Sequence, residues 1–587
     1  MNIAILQHQK RIRRRTKILV LGLLVWTVGI LARLVQLQII SHSRMSEKVL
    51  EQSQAEIEVF PERGTIYDKQ GNILAQSIPS FTVYYQPSRD ESLEDRIRQV
   101  LELAKVVALD PKDLARIKDV LPNRTKSVQV KKKLNAETAA EVERLNLKGV
   151  FCREETMRVY PQGGLAAHIL GGISADDAVK GGVEGKLDAV LRGKKGRQVV
   201  WHDKLRREYS FETLDEAKKG YDIVLTVDST VQYIAEQELA RAVQDHGVDW
   251  GIVIVTQPAT GEILALASWP TYDPNVFPPE RADAEANRAV QRLYDPGSTF
   301  KIVTASAALE SRRVALTELF DCSKGVIESA GSPIRDHKTF GILTFAGVLV
   351  NSSNVGTIQI GRRVGPDSLL QTVRAFGFGE KTGVELPAEA GGIVHPLAEW
   401  TRRSIDSVSI GYEISVTPLQ MLQAMNVIAN GGDLVRPRLV RNVMGGFATP
   451  SPAPAKLVSA ISGETTRLLT EILEKVVKEG TGQAARLPGF TVAGKTGTTQ
   501  KFDPEAGTYS SSRHIGSFVG FVPAENPALS MIVVLDEPKT DDYYGGQVAA
   551  PVFREIAKRT LRYLGVAPRP DPGRAIVAAN VRRSDRP

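Results

Sequence analysis

Cysteine is nearly absent: 587 residues contain Cys152 and Cys322 and no others. Two thiols exclude a disulfide-stapled scaffold and any multi-cysteine zinc or iron–sulfur centre, so both are expected as isolated buried thiols. Histidine is also sparse, eight residues scattered without a His-Glu-x-x-His pair, and no metal site is expected. No Gly-x-Ser-x-Gly elbow occurs, which argues against an α/β-hydrolase. There is no internal repeat, and the 49 Gly and 31 Pro carry no collagen-like period. What is present is ordinary: 42% hydrophobic and 24% charged residues exclude global disorder, and the length predicts several domains.

The net charge of +8 is unevenly placed. Lys10, Arg11, Arg13, Arg14, Arg15 and Lys17 precede residue 18 with no acid among them, leaving the rest of the chain nearly neutral. A nucleic-acid binder would spread basic charge over a folded face, so none is expected as a partner. Residues 18–40 follow as an apolar stretch interrupted by Arg33. As a helix it would reach roughly 35 Å, enough to cross a bilayer. The cations before it predict residues 1–17 as a cytoplasmic tail, 18–40 as a transmembrane helix, and everything after it outside the inner membrane. A cleaved signal peptide is the competing reading. Ser41 and Ser43 weakly resemble a cleavage site, but Arg33, Gln36 and Gln38 fit one poorly. Arg33 either snorkels to the headgroups or meets a partner membrane protein.

The exported part divides at about residue 215. Residues 41–215 read as an extended pedestal without a catalytic constellation. Residues 61–72 suggest strand, turn, strand; 93–121 and 135–147 suggest helices; Arg124, Lys126, Lys131, Lys132 and Lys133 suggest a solvated basic face. Residues 216–565 have the composition of a compact domain. Strands are expected at 223–227, 251–256, 263–267, 490–493, 517–522 and 530–535, with a helix at 229–243 and mostly helix from 298 to 480. Strands at both ends around helices make this an α+β domain. Residues 566–587 read as a disordered tail.

Three short motifs could carry chemistry. Ser298-Thr299-Phe300-Lys301 opens an apolar helix after the turn Asp295-Pro296-Gly297. Its spacing puts Ser298 and Lys301 on one face, and a buried lysine can lose its proton and deprotonate a serine. Alternatively the serine only caps the helix. Asn351-Ser352-Ser353-Asn354 places polar groups between apolar stretches, as a site or as a cap. Lys495-Thr496-Gly497-Thr498 suits binding of a carboxylate at a strand edge, or is an exposed edge lysine. Residues 489–496 also match the phosphate-loop pattern G-x-x-x-x-G-K-T. That loop needs a helix directly after Lys-Thr, and the residues that follow start a helix poorly.

In this order the motifs resemble those of penicillin-binding proteins and class A β-lactamases, and the chain resembles class B penicillin-binding proteins over nearly its whole length. Arg63-Gly64-Thr65-Ile66-Tyr67-Asp68 with Gly71-Asn72, and Gly181-Gly182-Val183-Glu184-Gly185, are similar to the pedestal motifs of that class. Residues 294–301, 416–420 and 429–432 are similar to its transpeptidase domain, and Tyr543-Tyr544-Gly545-Gly546 with residues 550–553 to its septal branch. Glu413 stands where the family usually has glycine or another uncharged residue.

The resemblance implies a serine β-lactamase/transpeptidase-like fold, a central antiparallel sheet with helices, and a peptidoglycan D,D-transpeptidase active in septal wall synthesis. Ser298 would attack the D-Ala-D-Ala carbonyl, with Lys301 as base. Ser352 would relay a proton to the departing D-alanine, and Asn354 would hold the substrate amide. Lys495, Thr496, Gly497 and Thr498 would bind the terminal carboxylate, and the backbone N–H groups of Ser298 and Thr498 would hold the oxyanion. No cofactor is implied. Stem peptides and β-lactams are the implied ligands, and a polytopic glycan polymerase of the shape, elongation, division and sporulation (SEDS) type, with other divisome proteins, the implied partners. Alternatives are an elongation-branch enzyme, a tethered β-lactamase or carboxypeptidase, and a non-catalytic division scaffold or β-lactam sensor.

Overall fold

The computed structural model describes residues 2–41, 54–88, 91–122, 127–202, 208–276, 278–445, 456–503 and 505–569. Ser43, Arg124, Lys126 and the tail from residue 570 lie outside the described residues. Contacts divide the chain into two units, residues 1–62 with 193–219, and residues 63–192 with 220–587.

The first unit holds the helix Asn2–Val35, continued by a π-helical turn Gln36–Ile40. The basic segment, expected only as a charged tail, lies on this helix because lysine and arginine are good helix formers and no proline interrupts them. Ile5–Ile40 is the one described helix long and apolar enough to cross a membrane. The Arg33 guanidinium donates to Gln36 Oε1 at 2.7 Å. The unit also contains an antiparallel sheet of Gln54–Val59, Gly196–His202 and Glu208–Asp215, with the middle segment in the centre.

In the second unit, the long strand Ile73–Tyr85 pairs with both Val128–Leu134 and Val150–Val159. Helices Leu93–Val106, Pro111–Val120 and Ala136–Arg144 belong with it, through a core that includes Val83, Tyr85, Leu103, Ile117 and Val142. The stretch expected as one helix over 93–121 is two, because Asp110-Pro111 stops one and starts the next: Asp110 caps by accepting from Asp113 N. Cys322 is buried, but Cys152 is only partly so, since it sits on an edge strand. The expected basic face is partly neutralised: Lys132 pairs with Asp176, and Lys133 with Asp177 and Glu155.

The two pedestal motifs converge. Glu184, fully buried, accepts from Arg63 and Arg158 at 2.6 Å each, and Arg63 also pairs with Asp188. Asp68, also buried, accepts from Asn72 and from Ser229, so it ties the turn at 68–72 to the first residue of the helix Ser229–His246. Ile66–Tyr67 runs parallel to Asp222–Leu225, which pairs on its other side with Val440–Met444.

The main sheet has the order Glu262–Trp269, Trp250–Gln257, Leu529–Asp536, Thr508–Val522, Ala493–Asp503, all antiparallel. Every residue of Leu529–Asp536 is buried. Alternate residues serve two cores: Met531, Val533 and Leu535 join the helices Ser229–His246 and Ala550–Tyr563, while Ile532 and Val534 join Lys301–Glu310 and Pro418–Ala429. Asn426 of the last helix is hydrogen-bonded to Thr256 and Ser530 of the sheet, a closed buried polar triad.

One expected strand is displaced. Residues 490–492 are not in a strand; the strand begins at Ala493 and carries the Lys-Thr-Gly-Thr motif within it. Glycine and threonine there serve close packing: a Cβ on Gly494 would lie 2.4 Å from the Phe518 ring. With a strand after Lys495-Thr496, the phosphate-loop geometry is excluded.

Candidate active site

Ser298 lies on a 3₁₀ turn, Gly297–Phe300, that feeds the helix Lys301–Glu310. At three residues per turn, Ser298 and Lys301 eclipse one another. Two contacts clamp the turn. Gly297 N donates to Gly411 O at 3.0 Å, and Gly297 itself has φ +52° with no room for a side chain, since a Cβ would lie 2.2 Å from Thr499 Oγ1. Ser298 is partly exposed, whereas Lys301 is fully buried.

The second motif is a cap as well as part of the site. Phe345–Val350 ends there, and Ser353 caps Asn354–Val364 by accepting from Gly356 N at 2.9 Å. Ser352 between them takes φ +55°, a costly conformation for a residue with a side chain. That kink turns its carbonyl and hydroxyl toward two lysines: Lys301 Nζ donates to Ser352 O at 2.7 Å, and Lys495 Nζ to Ser352 Oγ at 2.8 Å. Lys301 also donates to Asn354 Oδ1 at 2.8 Å, while Asn354 Nδ2 donates to Arg335 O at 2.9 Å. Both ends of the Asn354 amide are therefore held by the protein.

Sequence reading missed Asp336. It accepts from Ser353 Oγ at 2.7 Å, from Val355 N at 3.1 Å and from Asn354 N, so one carboxylate anchors the second half of the motif and the start of the helix that follows. No local pattern marks it; it follows the hairpin of Val326–Ser329 and Ser332–Arg335, and only the fold brings it here.

The third motif occupies the edge strand of the main sheet. Lys495 is buried and also donates to Thr496 O at 3.0 Å; Thr496 Oγ1 lies 2.6 Å from Thr481 Oγ1. Gly497 lets the strand pass the nucleophile turn: a Cβ there would lie 2.8 Å from Thr299 Cγ2. Thr498 Oγ1 accepts from Gly545 N at 3.1 Å, which joins the strand to the segment after Tyr543-Tyr544. Those two rings stack at 4.5 Å, with His514 stacked on Tyr543 at 4.3 Å. Glu413 is exposed with φ +57°, a conformation that glycine adopts without cost.

Burial pushes the Lys301 ammonium down to about 7, with Asp336 opposing the shift. Lys495 is lowered well below the ordinary lysine range, first by burial and then by the charge of Lys301. The site thus holds two depressed lysines around one serine hydroxyl. A lysine near neutrality can act as a base, and a buried cation short of counter-charge is a receptor for a carboxylate.

Residues 251–558 match the penicillin binding protein transpeptidase domain, and residues 58–225 the penicillin-binding protein dimerisation domain. The chain belongs to the class B penicillin-binding proteins. It is 34% identical to stage V sporulation protein D of Bacillus subtilis, over 95% of this chain and 86% of that protein. It is 28% identical to the peptidoglycan D,D-transpeptidase FtsI of Escherichia coli, over 96% of this chain and 94% of that protein. The crystal structure of penicillin binding protein 3 from Mycobacterium tuberculosis complexed with aztreonam is similar at a TM-score of 0.69 and 29% identity, covering 88% and 98% of the two chains. The class is that of serine D,D-transpeptidases of peptidoglycan, and the fold is the expected one, a pedestal with an α+β transpeptidase domain.

Proposed function

We propose that this class B penicillin-binding protein cross-links peptidoglycan stem peptides at the division septum through an acyl-enzyme on Ser298. One observation carries the reading: two buried lysines from separate elements meet on Ser352, at 2.7 and 2.8 Å. Neutral Lys301 takes the Ser298 proton as Ser298 Oγ adds to the carbonyl between the last two D-alanines. Ser352 passes a proton, replenished from Lys495 or Lys301, to the departing D-alanine amine. Lys495, Thr496, Gly497 and Thr498 receive the terminal carboxylate, whose charge favours the protonated form of Lys495. The N–H groups of Ser298 and Thr498 hold the oxyanion. Asn354 positions Lys301 through its oxygen, and its amide reaches substrate only by leaving Arg335 O. An amine of a neighbouring stem then resolves the ester.

The remaining assignments extend this reading. Residues 18–40 anchor the chain in the inner membrane with residues 1–17 cytoplasmic; residues 41–215 are the pedestal and 216–565 the catalytic domain outside. A SEDS-type polymerase and other divisome proteins are the partners. The similarity of Tyr543-Tyr544-Gly545-Gly546 to the septal branch is what favours that branch over the elongation branch.

Mass spectrometry after labelling with a penicillin is expected to find the adduct on Ser298, with none in Ser298→Ala. An adduct elsewhere overturns the assignment. Depletion is expected to give filaments; round cells would move the enzyme to the elongation branch.

A further inference from the structure

The strand bearing Lys495-Thr496-Gly497-Thr498 runs well past the motif, and at its far end the neighbouring strand of the same hairpin reaches the segment before the nucleophile turn. Ala493–Asp503 and Thr508–Val522 form a long hairpin whose pairing shifts register between Gln500 and Phe502. Beyond that shift, the Tyr509 hydroxyl donates to Asp295 Oδ2 at 2.7 Å. Asp295 stands three residues before Ser298, and its other oxygen accepts from Ser415 Oγ at 3.2 Å. Its neighbour Tyr294 exchanges backbone hydrogen bonds with Val416, so the carboxylate has a fixed base. The Tyr509 ring packs edge-to-face on Tyr412 at 5.0 Å and on Phe502 at 5.5 Å. Tyr412 in turn accepts from Gln500 N at 3.4 Å, in the same strand as the carboxylate-binding motif.

Among the described residues, Asp295 has two hydroxyl donors and no ion-pair partner. A shielded carboxylate is expensive to keep without a cation, and an apolar pair would join these elements at least as stably. What a charge-assisted phenol–carboxylate bond adds is a fixed distance and direction. It joins the segment leading into the Ser298 turn to Thr508–Val522, the hairpin partner of the strand bearing Lys495 to Thr498, and so reaches that strand through the pairing of the hairpin.

We propose that Tyr509 and Asp295 are a positioning pair that ties the distal hairpin to the nucleophile turn and so sets the cleft in which the donor stem, or a β-lactam, is bound before acylation. The inference rests on the proposed roles of Ser298 and the Lys495–Thr498 strand. Neither Tyr509 nor Asp295 touches reacting atoms; the pair acts through the spacing of the groups that do.

The test uses the full-length protein in detergent and a chromogenic β-lactam, with acylation followed to saturation. Tyr509→Phe keeps both ring contacts and removes only the hydroxyl. Its second-order acylation constant is expected to fall about tenfold, the worth of one charge-assisted hydrogen bond. The loss should reside in the saturation constant, with the limiting acylation rate retained. Asp295→Asn, which keeps an oxygen acceptor for Tyr509, should lose less than Asp295→Ala. Adding Tyr509→Phe to Asp295→Ala should cost nothing further. Parental kinetics in Tyr509→Phe overturn the proposal, as does a loss confined to the limiting rate, or additive losses in the double variant. If Tyr509→Phe does not fold, the Asn and Ala comparison at position 295 decides alone. Retention of an adduct in Ser298→Ala, by contrast, would sink the nucleophile assignment itself, whatever the tether does.

Discussion

Two clusters of buried charge can be set side by side. In the pedestal, Glu184 is enclosed by Arg63 and Arg158, opposite charges at 2.6 Å. In the catalytic domain, Lys301 and Lys495 are fully buried around Ser352, and each donates to neutral oxygens. The first cluster is compensated and holds two segments of chain together. In the second, neither lysine has an ion-pair partner among the described residues, and the proposed parts of base and anion receptor rest on that deficit. In these two clusters, paired charge serves architecture, while the unpaired lysines are the ones to which the proposed chemistry is assigned.

The sharpest test of that contrast is Lys301→Met, which fills the same space without a base. Acylation by penicillin should fall about 10²–10⁴-fold, the usual contribution of a positioned general base. In the parent, acylation should rise about tenfold per pH unit below about 7 and level off above it, as Lys301 loses its proton. A flat profile from pH 5 to 8 would remove Lys301 as the base.

Next in size is Glu184→Gln. It leaves Arg158 buried without a carboxylate and Arg63 with Asp188 alone, and should cost about 3–5 kcal/mol of stability in denaturant melts. Acylation per folded molecule should stay within about twofold of the parent. A selective loss of acylation would mean the pedestal cluster is not merely architectural.

The lysine cluster also predicts a pH dependence of stability. Lys301 is protonated in the unfolded chain up to about 10.5 but only below about 7 when folded, so unfolding takes up a proton between those values. Stability should therefore rise with pH across that window, by at most about 1.4 kcal/mol per unit for this group. Lys301→Met should lessen the rise, leaving the part that Lys495 contributes; an unchanged slope would show that Lys301 stays charged when folded.

The smallest effect is expected at Thr496→Ala. Thr496 shares its hydroxyl bond with Thr481, and losing one neutral contact to the substrate carboxylate should weaken acylation by about fivefold. A hundredfold loss would give Thr496 a larger part than binding.

Much of this arrangement was legible before the fold was known. The helix after Ser298, the hairpin of Trp250–Gln257 and Glu262–Trp269, and the strand Leu529–Asp536 follow from apolar periodicity. The strand at Ala493–Asp503 was misplaced because Gly494, Gly497 and three threonines look like a loop; their packing against Phe518, Ser517 and Thr299 exists only once the sheet has formed. Asp336 was invisible for a similar reason. An acid 17 residues before Ser353 carries no signal until a hairpin brings it to the start of that helix. The kink at Ser352 was hidden too, since the reading as a cap and the reading as a site belong to adjacent serines of the same motif.

The short strand Asp222–Leu225 bears on how the enzyme can be cut. It lies between Ile66–Tyr67 on one side and Val440–Met444 on the other. Trimming the chain to residue 216 would strip away the first neighbour and leave a row of bare amides on an apolar strand, an invitation to self-association. A soluble fragment made for drug screening should therefore keep the polypeptide from Gln54 onward, which retains Ile66–Tyr67 and also leaves Gly196–His202 paired with Gln54–Val59.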